Sequence, residues 1–309
     1  MSIKKTWNDK RYFSLDYYLK DTFKEKVYKL SLNASMTCPN RDGTLDTRGC
    51  IFCSEGGSGD FSPSKMLSIS NQIEEAKKLI VRKHKGNKFI AYFQAFTNTY
   101  ASTSYLRKIF YEAISNPDIV ALSIATRPDC LGDDVLLLLD ELNHIKPVWI
   151  ELGLQTSNEK TAVFIRRGYS LPCFELAVGK LSKLNINVIV HVIIGLPYES
   201  NRDIIETVNY VANLSINGIK LQLLHILKNT DLEKYLNDIH ILTLEEYVEL
   251  VVQCIERLPE SVVIHRITGD GPKELLLAPL WSRNKKNVLN QIHHVLKQKD
   301  TWQGKYYKF

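Results

Sequence analysis

Cys38, Cys50 and Cys53 follow directly on an apolar run, spaced C-x11-C-x2-C in a chain of 309 residues. Thiolates at such spacing are metal ligands by type, but three are one too few for the closed four-ligand shell of a structural zinc. A cubane 4Fe-4S cluster held by three cysteines keeps one iron open to an exogenous ligand, and an open iron is a place where chemistry can happen. A zinc ion completed by a distant histidine is the competing reading, because Cys-x-x-Cys is also zinc spacing. A disulfide framework is not expected: the chain has six cysteines, and its first residues are too polar and too short a run for a targeting segment. Cys130 and Cys173 stand alone, and Cys254 lies in an amphipathic stretch where it reads as core.

These thiols need a frame. Short runs rich in Val, Ile and Leu alternate with longer amphipathic stretches along the whole chain, the pattern of βα units. Strands are expected over 26–33, 88–96, 119–126, 148–155, 188–195, 219–226 and 262–268. Ser70 is the expected cap of a helix over 71–84, and Thr243 with Glu246 forms a capping-box pattern opening a helix that runs to Arg257. Nearly every strand is apolar on both faces, as in a parallel sheet covered by helices. Periodicity alone fits a barrel or a doubly wound sheet. In either, sites lie at the C-terminal ends of the strands.

Composition bounds the function. With 44% apolar and 24% charged residues and no apolar run long enough to cross a bilayer, the chain reads as a globular cytoplasmic protein with no membrane partner. A formal net charge of +6 permits a nucleic-acid partner without requiring one. The oligomeric state is not legible.

The chain resembles radical S-adenosylmethionine (radical SAM) enzymes. The cysteine cluster after the first strand carries that resemblance, although the first spacing is longer than the common C-x3-C-x2-C and is similar to that of the Elongator catalytic-subunit-like branch. Cys38-Pro-Asn-Arg-Asp-Gly43, Gly49-Cys-Ile-Phe-Cys-Ser-Glu55, Gly57-Ser-Gly-Asp-Phe61, His225-Ile-Leu-Lys-Asn-Thr230 and His265-Arg-Ile-Thr-Gly-Asp-Gly-Pro272 resemble the YtqA/YhcC-type subfamily. The resemblance implies a partial (β/α)6-7 barrel over 26–280, with an N-terminal extension over 1–25 and a basic aromatic segment over 281–309 packed outside it. It implies a 4Fe-4S cluster on Cys38, Cys50 and Cys53 with S-adenosylmethionine on the open iron, an electron donor of the flavodoxin or ferredoxin type or another reductase, and a 5′-deoxyadenosyl radical.

The same resemblance assigns the cofactor's other contacts. Gln94, Thr97 and Asn98 stand where the family usually carries an acidic segment meeting the methionine amino group. Glu151 and Gln155 are expected at the ribose hydroxyls, Arg167 at the methionine carboxylate, and Gly195 with Leu223 on the adenine side. For Arg167 the plain alternative is a solvated helix end, and for His191 a hydrogen-bonded core histidine. His225, Lys228, His265, Arg266, Asp270 and Lys273 are polar groups at strand ends that suit an anionic substrate, or solvated loop charges.

Residues 281–309 hold seven Lys or Arg against one Asp, interleaved with Trp281, Trp302, Tyr306, Tyr307 and Phe309. That mixture suits RNA, and equally a charged helix packing its aromatics inward. Kinship with the Elongator-like branch implies a tRNA substrate, namely the C5 side chain of a wobble uridine. In its specific form a carboxymethylaminomethyl group is trimmed to aminomethyl, beginning with hydrogen abstraction beside the carboxylate. The alternatives are a radical SAM enzyme acting on a small metabolite or a peptide, and a non-catalytic metal-bearing RNA-binding module.

Overall fold

The computed structural model describes residues 5–57, 59, 62–81, 86–269 and 271–308. The sheet consists of β1 (Val27–Leu32), β2 (Lys88–Phe93), β3 (Ile119–Thr126), β4 (Val148–Gln155), β5 (Asn187–Ile194), β6 (Gly218–Leu223) and β8 (Val263–Arg266). These seven strands are all parallel and hydrogen-bonded in that order, with β1 and β8 not paired to each other. The sheet is strongly curled, since Lys220 of β6 donates to the Tyr92 hydroxyl of β2 across the interior. The result is an open (β/α) barrel.

The helices α2 (Ile69–Val81), α3 (Thr103–Ile114), α4 (Asp133–Asn143), α5 (Glu159–Phe164), α6 (Leu171–Lys183), α7 (Asn201–Ala212) and α8 (Leu244–Arg257) return the chain between strands. Their buried faces, among them Leu106, Phe110, Leu139, Phe174 and Val251, pack on the outward face of the sheet as one apolar core. The Thr243–Glu246 capping box is present at the start of α8.

Several boundaries differ from the expected ones for local reasons. Ser70 lies inside α2. Ser68 takes the capping place instead, its Oγ accepting from Asn71 N at 3.2 Å. The strand expected over 88–96 stops at Phe93 because Phe96 adopts a left-handed φ of 61° and turns the chain so that its N–H donates to Gly57 O. Residues 226–227 leave the barrel sheet as β7 (Ile226–Leu227), antiparallel to β9 (Leu276–Ala278).

The N-terminal residues do more than lie outside the barrel. Helix α1 (Leu15–Phe23) sets Leu15, Tyr18, Leu19 and Phe23 against Val27, Ile90, Ala121, Trp149 and Ile189, the inward side chains at the N-terminal ends of β1 to β5. An apolar layer facing a barrel interior must be covered, and α1 covers it. The preceding residues join β8, where Ile264 N donates to Phe13 O at 2.7 Å. At the other terminus α9 (Lys285–Gln298) buries Val288, Ile292 and Leu296 against the rest of the core. Trp281 Nε1 donates to Leu242 O and its ring lies on Tyr247, while Trp302 is buried, so both tryptophans are packing residues. Tyr306 is exposed, and Phe309 lies outside the described residues.

Candidate functional site

Alternation along the strands sorts the barrel interior into layers. Above the apolar bottom layer, the next inward positions are Lys29, Tyr92, Ser123, Glu151, His191 and Lys220. Above those come Ser31, Gln94, Ala125, Gly153, Ile193 and Gln222, and the thiol loop covers the C-terminal end.

The middle layer is a charge network centred on Glu151, whose side chain is fully buried. Oε1 accepts from Lys29 Nζ at 2.6 Å and Ser123 Oγ at 2.7 Å, and Oε2 accepts from His191 Nε2 at 2.8 Å and from Lys220. Burial opposes ionisation of Glu151, but Lys220, Lys29 and His191 outweigh it and hold the carboxyl well below its usual range. Burial pushes both lysines down despite Glu151, Lys220 to about 7. Burial also lowers His191, to about 4, so the imidazole is neutral and donates to the carboxylate.

The thiol loop is braced by its own polar groups. Arg41 N and Asp42 N donate to Cys38 O, and Arg41 Nη2 reaches across to Cys53 O at 3.0 Å and Ser54 O at 2.6 Å. Gly49 makes this possible: at φ +76° a Cβ there would stand 2.9 Å from Arg41 Nε. Buried Asn40 ties the loop to the barrel, its Nδ2 donating to Arg166 O at 2.7 Å and lying 3.5 Å from Cys50 Sγ. Burial, reinforced by Cys53 and Cys38, pushes the Cys50 thiol up to about 12. Three thiolates so placed require a cationic group among them. The three thiols line one cavity, and three thiolates, one short of a closed zinc shell, are the donor number of a cubane cluster that keeps one iron open.

One cavity of about 260 Å³ joins thiols and barrel. Cys38, Cys50, Cys53, Gln94, Thr97, Glu151, Gln155, Arg167, Leu223, His225 and Arg266 all line it. Gln155 ends β4 at a left-handed φ of 70°, and its buried Oε1 finds no partner. Gly153 permits this, since a Cβ there would lie 2.7 Å from Gln155 Nε2. A strained residue presenting an unsatisfied amide to a cavity is an arrangement for contacting a ligand.

Other candidates sit differently. Asn98 lies behind the wall, its Nδ2 donating to Phe93 O and Ala125 O. Gly195 faces Leu242, while Lys228 and Lys273 are exposed, away from the cavity. Asp270 lies outside the described residues. Both Glu151 oxygens are already engaged by the barrel. The Arg167 guanidinium is also engaged within the protein, by Tyr169 O, Thr156 O and Glu159. Arg127, not anticipated from sequence, lines the cavity, held by a bidentate pair with Asp129. Lys29, Tyr92, Ser123 and Lys220 were missed as well, although polar residues at alternate positions of otherwise apolar strands were a signal for them.

A parallel α/β barrel with a thiol loop after its first strand and a polar interior defines the class: a barrel protein whose site lies on the C-terminal face. The sequence profile of the Radical SAM superfamily matches residues 46–211 and that of the Radical_SAM C-terminal domain residues 216–298, and the chain belongs to the radical SAM superfamily. The family uses a 4Fe-4S cluster and S-adenosylmethionine. The chain is 44% identical over 302 residues to the uncharacterised protein YtqA of Bacillus subtilis, spanning 97% of this chain and 94% of that one. It is 35% identical over 280 residues to protein YhcC of Escherichia coli K12, spanning 89% and 88%. The fold is similar to that of Elp3 from the archaeon Methanocaldococcus infernus, with a TM-score of 0.67 at 17% identity over 90% of this chain and 64% of that one.

Proposed function

We propose that this protein reductively cleaves S-adenosylmethionine at a 4Fe-4S cluster held by Cys38, Cys50 and Cys53, and uses the radical to modify the C5 side chain of a tRNA wobble uridine. The observation that carries the reading is the placement of three thiols over one end of a cavity whose other end is walled by ionised side chains. Cys38, Cys50 and Cys53 would hold the cluster, which when bound would supply the electron for reductive cleavage of the sulfonium.

The chain's own residues hold and shield. Asn40 places a donor at Cys50, Arg41 fixes the loop, and Gln155 offers its amide to the cofactor's ribose. Phe52, Phe96 and Tyr169 line the upper cavity and exclude water from a reactive carbon centre. In the substrate form we favour, a hydrogen atom would be taken from the methylene beside the carboxylate of a carboxymethylaminomethyl group, the flavodoxin- or ferredoxin-type partner would take up one further electron to give the imine, and water would hydrolyse it, releasing glyoxylate and leaving aminomethyl. A positively charged chain suits tRNA, and the lysines within suit the carboxylate. A flavodoxin- or ferredoxin-type donor in the cytoplasm would supply the electron. Among the described residues no helix is long and apolar enough to cross a membrane.

The test is anaerobic reconstitution with iron and sulfide, addition of S-adenosylmethionine and a strong reductant, and detection of 5′-deoxyadenosine by mass, with Cys50→Ala as control. Product from the wild type alone, increased by bulk tRNA, is the expected result. A deletion strain whose wobble-uridine nucleosides match wild type would remove the tRNA reading and turn attention to a small metabolite or peptide.

A further inference from the structure

Below the thiols, the main cavity continues into a second chamber of about 300 Å³, and Tyr92, Gln94, Lys220 and Arg266 line both. The chamber lies where β1 and β8 fail to pair, with Lys29 and Ser31 on one side and His265 on the other. Two ammonium groups here share one carboxylate. Glu151 accepts four hydrogen bonds and has no capacity to neutralise more. Lys29 donates to Ser123 and Glu151, and Lys220 to Tyr92 and Glu151, so each uses two of its three N–H donors. His265 Nδ1 is buried there without a partner. Lys29, Lys220 and Arg266 face the single carboxylate of Glu151 with spare N–H donors among them, an arrangement that favours an anion, whose charge would in turn hold the lysines protonated.

We propose that this chamber is a carboxylate subsite, in which Lys29 and Lys220 hold the acid end of the substrate. The proposal rests on the wobble-uridine reading for its occupant. The carboxylate of the carboxymethylaminomethyl group would sit on the lysines, with its neighbouring methylene turned up the shared passage toward the thiols. Substrate and trimmed product then differ in the group the chamber holds, so the product no longer engages the lysines and is released.

The experiment uses reconstituted wild type and Lys220→Met, each checked for S-adenosylmethionine binding. Both are titrated calorimetrically with 5-carboxymethylaminomethyluridine and its neutral carboxamide, and crystals of both are soaked in bromide for anomalous maps. The carboxylate is expected to bind wild type at least about tenfold more tightly than the amide, the order of one charge-assisted hydrogen bond. That preference should vanish in Lys220→Met, and bromide should occupy the chamber between Lys29 and Lys220 in wild type alone. Bromide there without any preference between the nucleosides overturns the uridine side chain as occupant and leaves an anion subsite for another acid. A wild-type chamber empty of bromide overturns the subsite itself, whether or not the variant folds. Bromide retained in Lys220→Met marks an adventitious ion only, and overturns it too.

Discussion

Glu199 should make this protein's stability fall between weakly acidic and weakly alkaline pH. It lies just beyond β5, where its carboxyl accepts from Thr156 Oγ1 at the end of β4. Burial, aided by Asp203 and opposed by the Thr156 hydrogen bond, raises its pKa from the ordinary 4.5 to about 7. The native protein therefore keeps a proton that the unfolded chain releases. The stabilisation is complete below the unfolded value of 4.5 and is lost as pH rises through about 7. At 1.36 kcal/mol per pH unit the whole effect is about 3 kcal/mol. Glu199→Gln keeps an acceptor for Thr156 and cannot ionise. Urea unfolding of both proteins at pH 5, 6, 7 and 8 should show the wild type losing about 2.5 kcal/mol relative to the variant across that series. Parallel pH dependence in the two would refute the buried-proton argument.

Three further outcomes are expected. Asn40→Leu leaves Arg166 O without its donor and removes the donor beside Cys50; chemical denaturation should show a loss of about 1–3 kcal/mol. A spectroscopic redox titration of the same variant should give a lower cluster potential, because a donor to a cluster sulfur favours the more negative reduced state. In Gly153→Ala the new methyl displaces the Gln155 amide, so the S-adenosylmethionine dissociation constant should rise about 5- to 10-fold in equilibrium dialysis while cluster absorbance is unchanged. Leu19→Ala empties the buried contact of α1 with the barrel bottom and should cost about 2–5 kcal/mol in thermal or urea unfolding.

The strands were legible because a two-sided apolar run is hard to mistake, and β3 and β4 begin and end where the sequence pattern places them. The thiols were legible for a different reason: few other residue types form such ligand sets. The charged middle layer was not. Lys29, Ser123 and Lys220 interrupt three strands far apart in the sequence, and only the curled sheet makes them neighbours of Glu151. Their shared strand parity, Lys29 with Ser31, Tyr92 with Gln94 and Lys220 with Gln222, was the available clue. The work of α1 was equally hidden, since an amphipathic stretch shows an apolar face without showing what it covers. Arg167 marks another limit. Its type suits a carboxylate ligand, yet the loop around it already takes up its donors.

The attachment of the N-terminal segment to β8 also bears on how this chain avoids its own copies. An open barrel has two outermost strands, and each carries main-chain donors and acceptors able to template a strand from another molecule. Phe13 and Ser14 occupy part of that row on β8 through the Ile264 contacts. A chain shortened past α1 would lose this guard together with the cover over the apolar end. It would be expected to aggregate by edge-to-edge pairing even with the thiol loop intact, so any shortened form intended for cluster reconstitution should retain the chain from Phe13 onward.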